Sequence, residues 1–217
     1  MFIGHFAVGF AARRWAPRAS LPLLVLGPNL LDALWPVFLT LGIESVRIDP
    51  GNTAVTPLDL RDYPWSHSLA MAVVWSALAA FFAWMGLRQI RVALVLAALV
   101  FSHWILDFVT HRPDMPLYPG SATYLGLGLW NSKIGTVIVE GAMFAAGVWL
   151  YARSTRPKDR TGTWSLVGMV ATLLLFYAVN MLGPPPPSVR AIPVATFVLF
   201  AIFLSWSWWI DRHREAA

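Results

Sequence analysis

The chain has 217 residues, of which 58% are hydrophobic and 12% charged, and its formal net charge is +5. Soluble domains carry about 25% charged residues, so this composition excludes an ordinary soluble protein and predicts an all-α polytopic integral membrane protein. The absence of cysteine excludes disulfides, thiolate metal sites and a cysteine nucleophile. Since no basic stripe on a soluble domain accompanies the positive charge, we expect membrane lipids as partners and no nucleic acid. The sequence leaves the oligomeric state open.

The first element is an apolar stretch, Met1–Ala12, which is followed by Arg13, Arg14 and Arg18. A cleavable signal peptide has its positive residues before the apolar region, so the order here is reversed. The stretch is also too short to cross a bilayer. We therefore predict a short N-terminal helix that leads into the first span.

Six later stretches are long and apolar enough to cross a membrane as helices. They are Leu21–Ile43, Leu69–Gly86, Val92–Thr110, Ile134–Ala152, Trp164–Leu182 and Ala191–Ile210. The first contains Gly27-Pro28-Asn29 and Pro36, which predict a kink. Residues 1–152, with four spans, are predicted to form a membrane domain with a metal site, and residues 153–217 a C-terminal two-span helical hairpin.

The distribution of Lys and Arg predicts the orientation of these spans. With the N-terminus in the cytoplasm, the cytoplasmic segments carry 11 of these residues and the outer segments carry 5. Cytoplasmic loops are enriched in positive residues, which favours six spans in the inner (plasma) membrane with both termini cytoplasmic. The polar connectors 44–68 and 111–133 then lie together on the outer side.

The strongest candidate site lies in the third span, where His103 and Asp107 interrupt an apolar run. Ionisable residues inside a membrane are costly and are functional candidates by default. The i, i+4 spacing places both side chains on one helix face, which suits two ligands of one metal. Pro113 predicts that the helix ends near His111 and that Asp114 lies in a turn. The alternative is an interhelical hydrogen-bonded pair that only stabilises packing.

Other polar residues near the spans have both functional and structural interpretations. Asp32 follows a proline break in the first span and is either a ligand facing a wet cavity or a paired carboxylate. His67 begins the second span beside Ser66 and Ser68, which can instead act as helix caps. Glu140, inside the fourth span, either orients a ligand or accepts a proton, or makes an interhelical bond.

The available ligand types are imidazole and carboxylate, which favour a divalent metal such as zinc, manganese or iron over magnesium. A metal site with an open position activates water near neutral pH for attack on an ester or phosphodiester. Because the predicted site faces one leaflet, a lipid head group is a natural substrate.

The order of four short motifs gives a resemblance to a known family. These motifs are Gly4-His5, Pro28-Asn29 with Asp32, Ser66-His67-Ser68, and Ser102-His103 with Asp107. Over roughly residues 1–120 the chain resembles the bacterial LexA-regulated inner-membrane metal-dependent hydrolase family, which is similar to zinc-dependent phospholipase C. The resemblance implies a metal site formed by His5, Asp32, His67, His103 and Asp107.

The chain differs from the family pattern at several positions, including Asp62-Tyr63, which replaces the His-Arg of the family's central motif. Asn29 stands where the family has its first aspartate, and Asp32 is displaced by one residue. We therefore expect Asn29 to lie beside the ligands rather than among them. The same supporting position is expected for His111, which lies outside the pattern.

The predicted function is a membrane-embedded metal-dependent hydrolase that acts on a lipid-like phosphoester or ester through metal-activated water. Zinc is the expected metal, with manganese or iron as alternatives, and Asp62, Asp114 or Glu140 is the expected general base. Two other classes remain open. A transporter or channel would use the same His and Asp residues as a proton or ion relay. A non-catalytic membrane scaffold would use them as interhelical hydrogen bonds.

Overall fold

The computed structural model describes the backbone of residues 1–217 and every side chain except that of Arg61. This described chain is helical, with three short two-stranded antiparallel sheets outside the spans. The helices are α1 (Ile3–Ala11), α2 (Leu21–Leu26), α3 (Leu30–Thr40), α4 (Pro64–His67), α5 (Leu69–Leu87), α6 (Ile90–Thr110), α7 (Lys133–Ser154), α8 (Arg160–Leu182) and α9 (Ala191–His213). The strands are β1 (Ser45–Ile48), β2 (Leu58–Asp62), β3 (Met115–Pro116), β4 (Tyr124–Leu125), β5 (Thr155–Pro157) and β6 (Arg214–Ala216).

Six helical segments are long and apolar enough to cross a membrane, which confirms the predicted fold class. They are Leu21–Thr40, Leu69–Leu87, Ile90–Thr110, Lys133–Ser154, Arg160–Leu182 and Ala191–His213. The first ends three residues earlier than predicted, because the chain turns at Gly42, whose φ is 70°. The predicted short N-terminal helix is α1.

The first span is broken where its sequence predicts a kink. A 3-10 turn over Gly27–Asn29 separates α2 from α3. At this break the Val25 carbonyl accepts a hydrogen bond from Asn29 Nδ2 at 2.8 Å, and the Pro28 carbonyl accepts one from His103 Nδ1 at 2.8 Å. These side chains therefore donate hydrogen bonds to backbone carbonyls for which the bilayer interior offers no donor.

Side-chain caps define where several spans begin. Ser68 is the N-cap of α5, and its Oγ accepts a hydrogen bond from the Met71 N–H at 3.3 Å. Ser132 and Asp159 cap α7 and α8 in the same way. These residues satisfy N–H groups that have no partner within a helix. Of the two serines considered as caps for the second span, Ser68 is the cap, which leaves Ser66 for another role.

The short helix α1 lies inside the bundle, where it packs against α7 and α2. Its residues Ile3, Phe6 and Phe10 are buried in the same core cluster as residues of α7, α8 and α9. A Cβ atom on Gly147 of α7 would lie 2.3 Å from the Ala7 carbonyl oxygen, so the crossing requires glycine at this position. This close contact fixes the position of α1, and with it His5.

The last helix, α9, packs against α2 and α3 as well as α8. The C-terminal pair of spans therefore contacts the first span directly, and a boundary between residues 152 and 153 stays a prediction. Apolar side chains such as Phe82, Ile134 and Val194 project outward from the spans and are exposed. Outward-facing apolar surface is what a lipid environment favours.

Two connectors with short sheets lie on one side of the bundle, since successive spans alternate in direction. The β1–β2 hairpin joins α3 to α4, and residues 111–132, which contain β3 and β4, join α6 to α7. The connector 183–190 between α8 and α9 lies on the same side. The α6 helix ends at Thr110 and Asp114 lies in a turn, both as Pro113 predicts.

Candidate metal centre

The five residues implied as metal ligands meet at one place in the bundle. They come from α1, α3, α4 and α6. Two overlapping groups have their ligand atoms within 4.8 Å of one another: His5 with His103 and Asp107, and Asp32 with His67 and His103. The structure brings these side chains together, while their role as ligands stays a prediction.

Asp107 lies at the centre of this cluster. Its Oδ1 is 3.0 Å from His5 Nε2 and accepts a short hydrogen bond from the amino group of Met1. Its Oδ2 is close to the Nε2 atoms of three more imidazoles, those of His103 at 2.9 Å, His111 at 3.8 Å and His67 at 3.9 Å. One carboxylate therefore faces four imidazole nitrogens.

The orientation of His67 is set by a hydrogen-bonded chain that ends at Glu44. Glu44 Oε2 accepts from Ser66 Oγ at 2.7 Å, and Oε1 accepts from the Trp65 and Ser66 N–H groups at 2.8 Å each. Ser66 Oγ is also 2.7 Å from His67 Nδ1. Because Ser66 donates its only hydrogen to Glu44, its oxygen accepts from His67 Nδ1–H. The lone pair of His67 then lies on Nε2, which is 3.5 Å from Asp32 Oδ1.

His103 is oriented by the backbone at the break in the first span. Its Nδ1 donates to the Pro28 carbonyl at 2.8 Å, so its lone pair also lies on Nε2. That Nε2 is buried and has no hydrogen-bond partner among the described residues, although Asp107 Oδ2 is only 2.9 Å away. Two acceptor atoms this close, without a hydrogen bond between them, are suited to share a cation.

His111 is held in the same manner by Asp114. Asp114 Oδ1 is 3.0 Å from His111 Nδ1, and the Tyr63 hydroxyl lies 3.1 Å from that nitrogen and donates to Asp114 Oδ1 at 3.2 Å. All three side chains are buried. Burial raises the pKa of Tyr63 well above its ordinary value, so its hydroxyl keeps its proton. His111 Nε2 is left facing Asp107.

His5 and His67 are neutral in this environment. Burial is the main cause that lowers the pKa of His5, to about 3, and it also lowers the pKa of His67. The His5 ring stacks on that of His103, with centroids 4.0 Å apart and an angle of 5° between the planes. Neutral imidazoles are the form that binds metals, and a metal at His5 Nε2 would take the place of the hydrogen bond that this nitrogen donates to Asp107 Oδ1.

The Met1 ammonium shows that the cluster favours positive charge. Burial alone would lower its pKa, but the nearby carboxylates of Asp107, Glu140 and Asp32 outweigh burial and raise it. The carboxylates of the cluster thus hold one cation, the Met1 ammonium, in a buried place.

The three carboxylates expected to act as a general base lie in different surroundings. Asp114 is linked to the cluster through His111. Glu140 is buried and accepts from the Phe2 N–H at 2.9 Å and the Gly4 N–H at 3.3 Å, so it holds the N-terminal end of α1. Asp62 is exposed on β2 and accepts from Ser45 Oγ at 2.6 Å. Asn29, which was expected beside the ligands, is buried and lines the same cavity as Asp32.

A cavity of about 290 Å³ opens beside the cluster. Asp32, His67, Asp107 and His111 line one part of it. The β1–β2 hairpin contributes Leu58 and Leu60, among other residues, and α9 contributes an apolar wall. The site can therefore receive a ligand larger than an ion.

Two residues that hold the site were not singled out as site candidates from the sequence: Glu44 and Tyr63. Glu44 opens the connector after the first span, on the same side as His67, and is buried. Its place in the connector that also carries His67 is the signal that could have drawn attention to it. Tyr63 stands four residues before His67, but nothing in the local sequence indicates its contact with Asp114, 51 residues away.

The donor set fits a divalent metal. The Nε2 lone pairs of His67 and His103 point toward carboxylate oxygens, and their Nδ1 atoms donate to oxygen atoms. Ligand imidazoles in proteins are generally oriented in this manner by a hydrogen bond from the other ring nitrogen. The absence of thiolate agrees with zinc held by nitrogen and oxygen, and equally with manganese or iron.

Comparison with known proteins places the chain in a family. The profile described as YdjM inner membrane protein matches residues 1–183, which contain the whole cluster and the first five spans. No curated protein and no solved structure matches the chain. With six apolar helices of spanning length and a match over most of its length, the chain belongs to the YdjM inner membrane protein family.

Proposed function

We propose that this protein is a membrane-embedded metal-dependent hydrolase that cleaves a phosphoester or ester of a lipid-like substrate. One observation carries the proposal: His103 Nε2 and Asp107 Oδ2 lie 2.9 Å apart, buried and without a hydrogen bond between them, inside a ring of further imidazoles and carboxylates. The resemblance to the LexA-regulated hydrolase family supports the same reaction class, and with it an expectation of LexA control.

His5, Asp32, His67, His103 and Asp107 would hold the metal, and zinc is the first metal to test. Such a metal supplies Lewis acidity and makes water acidic enough to attack an ester or phosphoester near neutral pH. The residues around it fix the imidazoles: Glu44 acts through Ser66, and the Pro28 carbonyl acts directly on His103.

Among the three carboxylates expected to act as a general base, Asp114 has the strongest support. It is connected to the cluster by His111, whose Nε2 is 3.8 Å from Asp107 Oδ2. A proton taken from water at the cluster would be received at His111 Nε2, and Asp114 would act as the base through this imidazole, since its Oδ1 lies 3.0 Å from His111 Nδ1. Glu140 has less support, because it accepts hydrogen bonds from the Phe2 and Gly4 N–H groups at the start of α1.

The position of the cluster in the membrane supports a lipid-like substrate. Asp107 lies one turn before the end of α6, and His67 lies just before α5, so the cluster is near one membrane face. We propose that this face is the outer one and that both termini are cytoplasmic, as the distribution of Lys and Arg favours.

The test is turnover by purified protein that has been stripped with a chelator and reloaded with zinc, manganese or iron. The probes are bis(p-nitrophenyl) phosphate, p-nitrophenyl esters and phospholipid vesicles. We expect metal-dependent hydrolysis that is lost in His103→Ala and kept in His213→Ala, since His213 contacts Asp159 and lies outside the cluster. Metal-loaded protein that hydrolyses none of these probes would exclude the proposal, and metal-independent proton flux in liposomes would favour a relay instead.

A further inference from the structure

The cavity beside the cluster has two chemically different parts. One part is polar and is lined by Asp32, His67 and Asp107. The other part is mainly apolar and is lined by Ile192, Leu199 and Phe203 of α9, together with Phe6 of α1 and other apolar side chains. Two polar residues, Asn180 and Thr196, also line the cavity, and the Thr196 hydroxyl donates to the Ile192 carbonyl of its own helix. Phe6 and Phe203 are in edge-to-face contact, with ring centroids 5.4 Å apart. A substrate that fills this cavity has a polar end and a long apolar end.

The apolar part has the depth of one leaflet. At 1.5 Å per residue, the stretch from Ile192 to Phe203 extends about 16 Å along α9. The hydrocarbon core of a bilayer is about 30 Å thick, so this is close to half of it. Since α9 begins at Ala191, the apolar wall runs from the membrane face to the middle of the membrane. The cluster lies near that same face, because Asp107 is three residues from the end of α6.

One side chain in the cavity is a free hydrogen-bond donor. Trp35 of α3 lines the cavity and is 8% exposed, and its Nε1 is buried without a partner among the described residues. A buried donor without a partner is costly. An ester or phosphate oxygen between the cluster and the apolar wall would satisfy this donor.

We propose that the apolar part of the cavity binds an acyl chain of a membrane phospholipid, beside α9, with the ester or phosphate group of that lipid at the His/Asp cluster. A chain at this depth needs no transfer into water, because it moves from bilayer to protein within one leaflet. The assignment of the head group rests on the proposed function. The chain site rests on the cavity alone, and the two can fail separately.

The experiment uses the full chain in nanodiscs that contain phosphatidylethanolamine with a diazirine at the middle of one acyl chain. After illumination, the labelled residues are mapped by mass spectrometry. We expect label on Phe6 and Phe203, which are 4% and 1% exposed and which surrounding bilayer lipid does not reach. Label confined to outward residues such as Val198, which is 52% exposed, would overturn the proposal.

A matched pair of substitutions tests the same site. Leu199→Trp fills the cavity, and Val198→Trp adds the same bulk on the outward face of α9. Excluding even two methylene groups from an apolar site weakens binding by about tenfold. Label on Phe6 and Phe203 should therefore fall about tenfold in Leu199→Trp and stay unchanged in Val198→Trp. Equal label in both variants would contradict the proposal. If Leu199→Trp does not fold, the proposal is tested by whether Phe6 and Phe203 are labelled in the wild-type protein.

The variant His103→Ala separates this proposal from the proposed function. Acyl-chain label should persist in it, since the substitution removes an imidazole from the polar part only. If the protein hydrolyses a soluble ester but Phe6 and Phe203 carry no label, the proposed hydrolase activity stands and the acyl-chain site is contradicted. If Phe6 and Phe203 are labelled but no probe is hydrolysed, the acyl-chain site stands and the proposed hydrolase activity is contradicted.

Discussion

His103 Nε2 lies 2.9 Å from Asp107 Oδ2, one helical turn apart on α6, and yet the nitrogen has no hydrogen-bond partner among the described residues. The Pro28 carbonyl takes the proton of the other ring nitrogen, so His103 Nε2 faces the carboxylate with its lone pair. A cation between the two atoms would relieve their repulsion. This geometry fits the proposed metal site, and metal binding is what would separate such a site from an ion pair that only joins the two side chains.

Gly147→Ala should destabilise the protein by about 1–3 kcal/mol, as overpacking usually does. The new Cβ would lie 2.3 Å from the Ala7 carbonyl oxygen and push α1 away from α7. Since α1 carries His5, metal retention should fall as well. The measurement is the thermal unfolding midpoint in detergent, together with the metal content.

Gly141→Ala is the matched control for this prediction. It makes the same change on the same helix, but a Cβ at Gly141 meets no atom of the described residues within 4 Å. Its stability should stay within about 1 kcal/mol of wild type, with a gain expected from helix propensity. Equal unfolding midpoints for the two variants would show that the α1–α7 contact is looser than described.

Glu44→Gln should weaken metal affinity about 10–100-fold while leaving the unfolding midpoint near that of wild type. The amide oxygen can still accept from the Trp65 and Ser66 N–H groups, but the amide nitrogen must donate to Ser66 Oγ. Ser66 then donates to His67 Nδ1, which moves the imidazole proton to Nε2. Chelator competition measures the affinity. Asp49→Asn, an exposed change on the same hairpin, is the control. A metal affinity of Glu44→Gln equal to that of wild type would exclude the hydrogen-bonded chain from Glu44 through Ser66 to His67.

Asp114→Asn should lower the hydrolysis rate about 10²–10⁴-fold at full metal occupancy, the range typical of a lost general acid–base group. The Asn oxygen can still accept from His111, so the imidazole keeps its place. Glu140→Gln keeps its acceptor oxygen for Phe2 and Gly4, and Asp62→Asn changes an exposed group, so both should lower the rate far less. A larger loss in either of these would move the general base to that residue.

The spans and the ionisable residues inside them were predictable from local sequence for a physical reason, whereas His5 joined the candidates only through the family resemblance. A helix that crosses a bilayer needs a continuous apolar run, and such runs mark all six spans. Ionisable residues stand out against them, which drew attention to His103, Asp107, Asp32 and Glu140. Pro113 correctly placed the end of α6, and Pro28 correctly placed the break in the first span.

The contacts that orient the imidazoles could not be predicted in this way. Glu44 is 22 residues from Ser66, and Pro28 is 75 residues from His103, so each contact depends on the packed fold. The capping role of Glu140 at α1 spans 138 residues and is equally invisible in the sequence. The apolar wall of α9 was also missed, because a residue that faces lipid and one that faces a cavity are both apolar.

The proposed orientation can be tested with single cysteines, since the chain has none of its own. Ala54 in the β1–β2 connector and Glu215 near the C-terminus are both exposed. In intact cells a membrane-impermeant maleimide should label Ala54→Cys and leave Glu215→Cys unlabelled until the membrane is permeabilised. The opposite pattern would invert the topology and place the cluster at the cytoplasmic face.

The measurement that tests the central claim most directly is the divalent metal content of the purified protein, for wild type, His103→Ala and His213→Ala. Wild type and His213→Ala should each retain at least one zinc, manganese or iron per chain after reconstitution and gel filtration. His103→Ala should retain none, because Asp107 and His67 lose the imidazole that completes both ligand groups. A wild-type protein without stoichiometric metal, or a His103→Ala variant that binds as much as wild type, would contradict the account.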